Sequence, residues 1–250
     1  DATNGNMLWQ FDPEVAKHLG NNNKPGWTQS RGISYYNGKI FTATWEGRLI
    51  ALDAKTGKQI WSVLTIDPDK RMSITGAPKA FAGKVIIGNG GSEAAPNRGY
   101  VTAYDVETGK QAWRFYVVPG NPADGFENEA MEMAAKTWTG EWWKYGGGGN
   151  AWHGFTYDEK LKTLYIGTGN GGPWMGDRRP GDNLYTSSTV AIDVATGQIK
   201  GHHQYEPNES WDWDEVSPPI LVDYQRKGRT IKGLINVGRN GYLWFLERTN

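Results

Sequence analysis

One turn sequence recurs along this chain and limits the folds open to it more than any other feature. Residues 51–61 read Ala-Leu-Asp-Ala-Lys-Thr-Gly-Lys-Gln-Ile-Trp: an apolar strand end, an Asp-x-x-Thr-Gly turn and a second strand that carries a tryptophan. The pattern returns at 103–113 and, with Gly201 at the tryptophan position, at 191–201. Partial copies stand at residues 1–9 and 247–250. A repeated unit of several short strands is typical of a β-propeller.

The residues of this turn suit a propeller blade. Asp and Thr side chains can bond back to the backbone of a tight turn, and Gly supplies the positive φ that closes it. The tryptophan is flat and large, which suits packing between adjacent blades. Asp1, Asp53 and Asp105 lie 52 residues apart, whereas Asp193 follows Asp105 by 88, so one unit contains an insertion.

Within the first complete unit, four short strand-like stretches are separated by Asn-Gly, Glu-Gly and Thr-Gly turns. This arrangement predicts one four-stranded antiparallel blade. We therefore predict an all-β protein in which residues 1–250 form about four blades of a single propeller domain. Both ends of the sequence fall inside a repeat unit, so we expect the rest of the ring to lie outside this chain.

Residues 117–150 form the predicted insertion. Residues 127–138 combine helix formers with early acidic residues and predict one short helix. A run of four glycines follows at 146–149, close to Asn150 and Trp152. Such a run could be a flexible linker. Its aromatic and polar neighbours favour a backbone that approaches another group closely.

Composition excludes several partner classes. The formal net charge is zero, which gives no reason to expect nucleic acid or an anionic membrane as a partner. No apolar run is long enough for a membrane span. The absence of cysteine leaves the redox compartment open. The 13 tryptophans and 34 glycines fit aromatic packing between blades and many tight turns.

Four polar loops stand out between the strands, at residues 90–93, 167–174, 211–214 and 238–241. They appear at equivalent places in their blades, and such places converge on the channel of a propeller. Four of their side chains would then form an oxygen-only cluster for a hard cation: Glu93, Asn170, Asp212 and Asp214. Each residue alone could equally be a solvated acid or a turn former. The tryptophans beside Asp212 and Asp214 favour the cation, because acids between rings need compensation.

At these loops the chain resembles the pyrroloquinoline quinone (PQQ)-dependent alcohol dehydrogenases of the methanol and ethanol dehydrogenase family. The matching stretches are residues 47–58, 98–105, 179–183 and 239–241. The resemblance covers essentially the whole chain and implies about half of an eight-bladed ring. It implies oxidation of an alcohol, with a sugar or other polyol as an alternative, and transfer of electrons to a cytochrome c-type acceptor. A fused haem domain outside this chain and a periplasmic location are further expectations.

The resemblance also implies roles for individual residues. Asp212 matches the catalytic aspartate, and Trp152 matches the indole on which the quinone lies flat. Arg31 and Thr75 match groups that hold its carboxylates, and Arg239 matches the arginine at its reactive carbonyls. In full, the implied cofactor contacts are Arg31, Thr75, Gly91, Ser92, Asn150, Trp152 and Arg239. The implied catalytic residues are Asp212 and Arg239, and the implied metal ligands are Glu93, Asn170, Asp212 and Asp214.

Three departures from the family pattern bear on the site. Many members have adjacent cysteines before the arginine that matches Arg31, whereas this chain has Pro25-Gly26, so we expect no disulfide over the quinone. Glu93 stands one residue further from Arg98 than the pattern suggests. Asp214 is a second acid two residues after the base, as in the lanthanide-dependent branch. Ca²⁺ also accepts many ligands, so both ions stay open.

Two alternative functions would account for parts of the sequence. A non-catalytic propeller scaffold, of the outer-membrane assembly type, would keep the blade turns without the cofactor loops. A calcium-stabilised sugar-binding propeller would explain the acids and tryptophans, but not Arg31 and Arg239 together. The set of Glu93, Trp152, Asn170, Asp212 and Arg239 favours the dehydrogenase.

Overall fold

The computed structural model describes residues 1–19, 28–92 and 95–249. A single helical turn, α1 (Val15–His18), precedes the sheets. The first sheet is β1 (Ser34–Tyr36), β2 (Lys39–Ala43), β3 (Arg48–Asp53) and β4 (Gln59–Leu64). The second is β5 (Lys79–Phe81), β6 (Lys84–Gly88), β7 (Tyr100–Asp105) and β8 (Gln111–Tyr116). An insertion follows with α2 (Glu129–Ala135) and the two-residue strand β9 (Gly147–Gly148).

The third sheet is β10 (Phe155–Asp158), β11 (Thr163–Gly167), β13 (Ser188–Asp193) and β14 (Ile199–Gln204). Strand β12 (Gly171–Gly172) lies between β11 and β13 in sequence but pairs with β9. The fourth sheet is β15 (Ile220–Arg226), β16 (Arg229–Val237) and β17 (Leu243–Glu247). Short 3₁₀ helices occur at Pro122–Asp124, Trp142–Tyr145 and Gly176–Arg178. Each main sheet is an antiparallel meander in chain order, which confirms the predicted all-β propeller blades.

The recurring turn connects the third and fourth strands of a blade. In the first blade, Asp53 Oδ1 accepts hydrogen bonds from the Thr56 N–H and hydroxyl, both at 2.8 Å. Gly57 then takes a φ of 69°, which only glycine adopts at little cost. The same bonds recur around Asp105 and Asp193. These local bonds fix the hairpin and support the register of each blade.

Where a tryptophan follows the turn, it joins one blade to the next. The Trp61 Nε1–H donates to the Val106 carbonyl at 3.1 Å, and the Trp113 Nε1–H donates to the Val194 carbonyl at 3.0 Å. Each ring covers the glycine of the neighbouring turn: a Cβ on Gly109 would lie 2.9 Å from the Trp61 ring. Trp9 makes the same contact with the first blade, at the Ala54 carbonyl. The glycine therefore serves both its own turn and the neighbouring blade.

The insertion is more compact than its sequence suggested. Helix α2 begins after Asn128, whose side chain accepts from the Met131 N–H, and it is shorter than the predicted 127–138. Trp138 and Trp142 are buried in the core between the second and third blades. The glycine run 146–149 is not a flexible linker: a Cβ on Gly148 would lie 2.4 Å from the backbone nitrogen of Gly172. Main chain approaches Gly146 and Gly148, whereas valine side chains approach Gly147 and Gly149.

Candidate functional site

The predicted site residues share one end of the blades. In an antiparallel meander the connections between second and third strands, and from one blade to the next, lie at the same end. The recurring turns lie at the other. The site residues are on the segment before β1 (Arg31) and on the connections β4–β5 (Thr75), β6–β7 (Gly91, Ser92), β8–β10 (Asn150, Trp152), β11–β13 (Asn170), β14–β15 (Asp212, Asp214) and β16–β17 (Arg239).

One part of the loop prediction was wrong. Residues 211–214 lie on the connection between two blades, not between second and third strands like the other three polar loops. They still lie at the same end of the blades, because β14, the fourth strand of its blade, runs towards that end. Both acids enter the site from this one connection, residues 205–219.

Trp152 is at the centre of the site. The Arg31 guanidinium lies over its ring, 4.5 Å from the centroid, a cation–π contact. The Trp152 Nε1–H donates to Asp214 Oδ2 at 2.9 Å. Its position follows from a close approach of backbones, because a Cβ on Gly88 would lie 1.9 Å from the Ala151 carbonyl oxygen. Only a glycine in β6 lets the Trp152 segment lie this near.

Asp214 is buried, and both its carboxylate oxygens accept hydrogen bonds. Oδ2 accepts from Trp152, and Oδ1 accepts from the Asn170 backbone N–H at 2.9 Å. Burial raises the pKa of Asp214, and the negative charge of Asp212 adds to the rise. The two hydrogen bonds and the Arg239 charge oppose it. The acid therefore connects two loops that precede it by 62 and 44 residues.

Asp212 has an unusual backbone. Its φ is 63°, in the left-handed region that Asp tolerates better than most residues. The Arg239 Nη1 donates to the Asp212 carbonyl oxygen at 2.7 Å. Partial burial raises the pKa of the Asp212 carboxyl, whereas the Arg239 charge lowers it. Asp212 is thus a partly buried carboxyl group whose pKa is raised by burial beside the charge of Arg239.

Glu215 is a site residue that the sequence analysis missed. It is buried, its Oε1 accepts from the Arg239 backbone N–H at 2.8 Å, and its Oε2 accepts from the Asn236 side chain at 3.0 Å. Burial raises the pKa of Glu215, whereas these two hydrogen bonds lower it. It positions the loop that carries Arg239. Its only sequence signal is a third acid directly after Asp214.

Ser92 and Asn150 form a second contact between blades. The Ser92 N–H donates to Asn150 Oδ1 at 3.1 Å, and the Ser92 hydroxyl donates to the same oxygen. Asn150 is buried, and its Nδ2 has no acceptor among the described residues. Gly91 has a φ of 113°.

The Thr75 carbonyl accepts from the Arg31 N–H at 3.0 Å, so Arg31 is held through Thr75's backbone.

The metal prediction is only partly covered by the described residues. Glu93 and Pro25-Gly26 lie outside them. Within residues 1–19, 28–92 and 95–249, no group of three or more acidic or histidine side chains could hold a metal ion. Asp212 and Asp214 do influence each other electrostatically. Asn170 is buried, and its Nδ2 donates to the Gly171 carbonyl at 3.1 Å, which leaves its amide oxygen for a cation.

Comparison with known proteins shows the family of this chain. Residues 1–250 match the protein family described as "PQQ: Glucose/ethanol/alcohol dehydrogenase, beta-propeller domain". The chain belongs to this family. It is 48% identical over 254 residues to the quinohemoprotein alcohol dehydrogenase ADH IIB of Pseudomonas putida, covering 100% of this chain and 36% of that protein.

Solved structures of quinoprotein dehydrogenases are also similar to this chain. The quinohemoprotein alcohol dehydrogenase from Comamonas testosteroni superposes with a TM-score of 0.93 at 45% identity, over 100% of this chain and 38% of that one. A europium-containing methanol dehydrogenase superposes with a TM-score of 0.78 at 38% identity, over 88% of this chain and 40% of that one. The chain thus spans somewhat more than a third of the length of these relatives. Within the described residues, no helix has the length and apolar character needed to cross a membrane.

Proposed function

We propose that this chain is the PQQ-binding part of a quinoprotein dehydrogenase that oxidises an alcohol to an aldehyde or ketone. Sugars and other polyols are the alternative substrate class. The proposed cofactors are PQQ and either Ca²⁺ or a lanthanide ion. The proposed electron acceptor is a cytochrome c-type haem, on a separate protein or on a fused domain. The proposed location is the periplasm.

The observation that carries the proposal is the connected network at the end of the blades. Arg31 lies over Trp152, Trp152 donates to Asp214, and Asp214 interacts with Asp212. Arg239 bonds to the Asp212 backbone, and Glu215 holds Arg239. A propeller that served only as a scaffold would gain little from two like-charged acids in one loop beside a partly buried aromatic platform, because the Asp212 charge disfavours ionisation of the buried Asp214.

The residues present fit a flat, anionic quinone and a hard cation. Trp152 offers an aromatic face, Arg31 and Arg239 offer cationic groups, and the Asn170 amide with the Asp212 carboxylate offers oxygen ligands. The buried Asn150 Nδ2, without an acceptor among the described residues, supports the presence of a further polar group here. Asp214 and Glu93 complete the proposed ligand set, and the number of acids suits either ion.

When bound, PQQ supplies a two-electron acceptor, and the cation polarises a carbonyl oxygen. The chain's own contribution is proton transfer. An alcohol carbon releases hydride readily only as its hydroxyl proton leaves, so a base must lie within hydrogen-bond reach of that hydroxyl. We assign this role to the ionised Asp212 carboxylate. Arg239 opposes the effect of burial and favours the ionised form at neutral pH.

The test is Asp212→Asn in the full-length holoenzyme. The amide cannot accept the proton, so we expect kcat at saturating alcohol to fall by about 10²–10⁴-fold while the bound quinone keeps its absorption spectrum. Asp177→Asn is the matched control, because it makes the same change at an exposed residue of the 3₁₀ helix Gly176–Arg178. A variant that retains most of its kcat would exclude Asp212 as the base. Loss of the quinone would show instead that Asp212 serves binding.

A further inference from the structure

We propose that Asp214 is a positioning residue that fixes the Trp152 indole to the Asn170 loop. The proposal rests on the proposed function in one respect: the Trp152 ring is taken as the platform for the quinone. It assigns Asp214 a task that does not require a metal ion. Among the described residues, the Asp214 carboxylate joins the Trp152 ring to the loop that follows β11 by side-chain hydrogen bonds.

The geometry points to a built contact. Asp214 is only 9% exposed, and its two oxygens accept from two donors on separate connections, Trp152 Nε1–H and Asn170 N–H, each at 2.9 Å. A carboxylate is suited to this, because both oxygens accept and neither donates. Hydrogen bonds to an ionised acceptor are about twice as strong as neutral ones.

The space for the carboxylate depends on Gly169. A Cβ on Gly169 would lie 2.5 Å from Asp214 Oδ1 and 2.9 Å from the Asn150 carbonyl oxygen. Any side chain there would displace the acid or the Asn150 segment. The Gly169 N–H also donates to the Asn150 carbonyl at 2.9 Å. This backbone hydrogen bond fixes the loop to the Asn150 segment directly beside the Asp214 contact.

A role in positioning and a role as a metal ligand predict different variants. Each carboxylate oxygen has a second lone pair, so the hydrogen bonds do not prevent coordination of a cation. A metal ligand affects the quinone only when the metal is present. A tether on the indole affects the quinone in the absence of metal as well. The two roles are therefore separable by measuring quinone affinity in metal-free protein.

The experiment is a double-mutant cycle on full-length protein freed of quinone and metal by a chelator. The readout is the Kd for PQQ by fluorescence titration in excess chelator. In Asp214→Asn, the new amide NH₂ group faces either the Trp152 Nε1–H or the Asn170 N–H, so one of the two hydrogen bonds is lost. We expect this variant to weaken metal-free PQQ binding about tenfold or more. Trp152→Phe keeps an aromatic ring but removes the donor, so in that background Asp214→Asn should change Kd by less than about twofold.

Equal fold-changes in both backgrounds, or an effect of Asp214→Asn that appears only with metal, would overturn the proposal. A second measurement covers a variant that fails to fold. In wild type, the Trp152 indole N–H, assigned by its disappearance in Trp152→Phe, should be protected from hydrogen exchange. The reference is Trp211, whose side chain belongs to a residue that is 76% exposed. Exchange as fast as that of Trp211 would exclude the tether. If wild type binds no PQQ even when Ca²⁺ or a lanthanide is added back, the proposed function fails while this exchange measurement still tests the tether.

Discussion

The two junctions on either side of the third blade are closed by different chemistry. Between the second and third blades, the buried Trp113 donates to the Val194 carbonyl and covers Gly197. Between the third and fourth blades, Gly201 stands at the tryptophan position, and a cavity of about 600 Å³ lies beside it. The Tyr165 hydroxyl, from β11, makes a long contact of 3.5 Å with the equivalent carbonyl, that of Arg248.

Charge takes the place of the missing ring. Arg248 Nε donates to Asp158 Oδ2 and its Nη2 donates to Asp223 Oδ1, both at 2.9 Å. The Arg248 and Asp158 side chains are only 7% and 6% exposed. The comparison teaches that one backbone repeat can be closed either by apolar burial or by a buried ion pair. The second solution carries a desolvation cost and depends on the ionisation of its partners.

The largest expected effect comes from emptying the aromatic junction. Trp113→Ala removes a buried ring and its hydrogen bond, so the free energy of unfolding should fall by about 3–5 kcal/mol. Urea denaturation of full-length apo-protein measures this. Trp211→Ala, at an exposed tryptophan, is the control and should change it by less than about 0.5 kcal/mol. Similar losses of unfolding free energy in both variants would mean that the Trp113 ring does not stabilise this junction specifically.

The next effect comes from breaking the ion pair. Asp158→Asn leaves the buried Arg248 guanidinium without its inner partner, and we expect a loss of about 2–3 kcal/mol. Asp223→Asn removes the outer partner, which is half-exposed, and should cost less than about 1 kcal/mol. Both are measured by the same denaturation. A larger loss for Asp223→Asn would reverse the assignment of inner and outer partner.

A smaller effect is the acid sensitivity of the polar junction. Burial alone would raise the pKa of Asp158, but hydrogen bonds from the Leu161 N–H and from Arg248 outweigh it and hold the pKa below its ordinary value of 3.8. A carboxyl with a lowered folded pKa contributes stability above 3.8 that is lost as pH falls through the folded value. The stability difference between wild type and Asp158→Asn should therefore shrink below about pH 4. A constant difference would contradict the pKa shift.

The smallest expected effect comes from converting one junction into the other. A Cβ on Gly201 meets no heavy atom within 4 Å, so Gly201→Trp could place a ring in the cavity and donate to the Arg248 carbonyl. We expect a gain of about 1 kcal/mol, in the usual range for filling a cavity. Gly201→Ala, which fills little of the cavity, is the control. A loss of stability with Trp would show that the ion pair and the ring cannot share the junction.

The sequence predicted the repeated features well, because their interactions are local. The bonds of Asp53 to Thr56 span three residues, so the spacing alone indicated the turn. The tryptophan's role between blades was also confirmed. The one-residue change to Gly201 was visible, but the ion pair that replaces the ring was not, since Asp158 and Arg248 are 90 residues apart.

The candidate site was predicted less evenly. Family motifs pointed to most of its residues, and the structure brings those that it describes to one end of the blades. The motifs did not indicate that Asp214 bonds to Trp152 across 62 residues, or that Glu215 holds the Arg239 loop. Helix α2 was predicted too long, because Asn128 caps it and the helix begins at Glu129, two residues inside the predicted start. Contacts between distant loops depend on the assembled blades, which no local pattern encodes.

The glycine run has a practical consequence for engineering this protein. All four residues from Gly146 to Gly149 have φ between 74° and 83°, and a Cβ on Gly146 would lie 2.4 Å from the Asn97 nitrogen. Every missense change of a glycine codon adds a side chain, so random mutagenesis across this segment yields mostly inactive clones. A library intended to change substrate range is better directed at exposed aromatic positions beside the site, such as Trp211 and Tyr242, where replacements meet solvent.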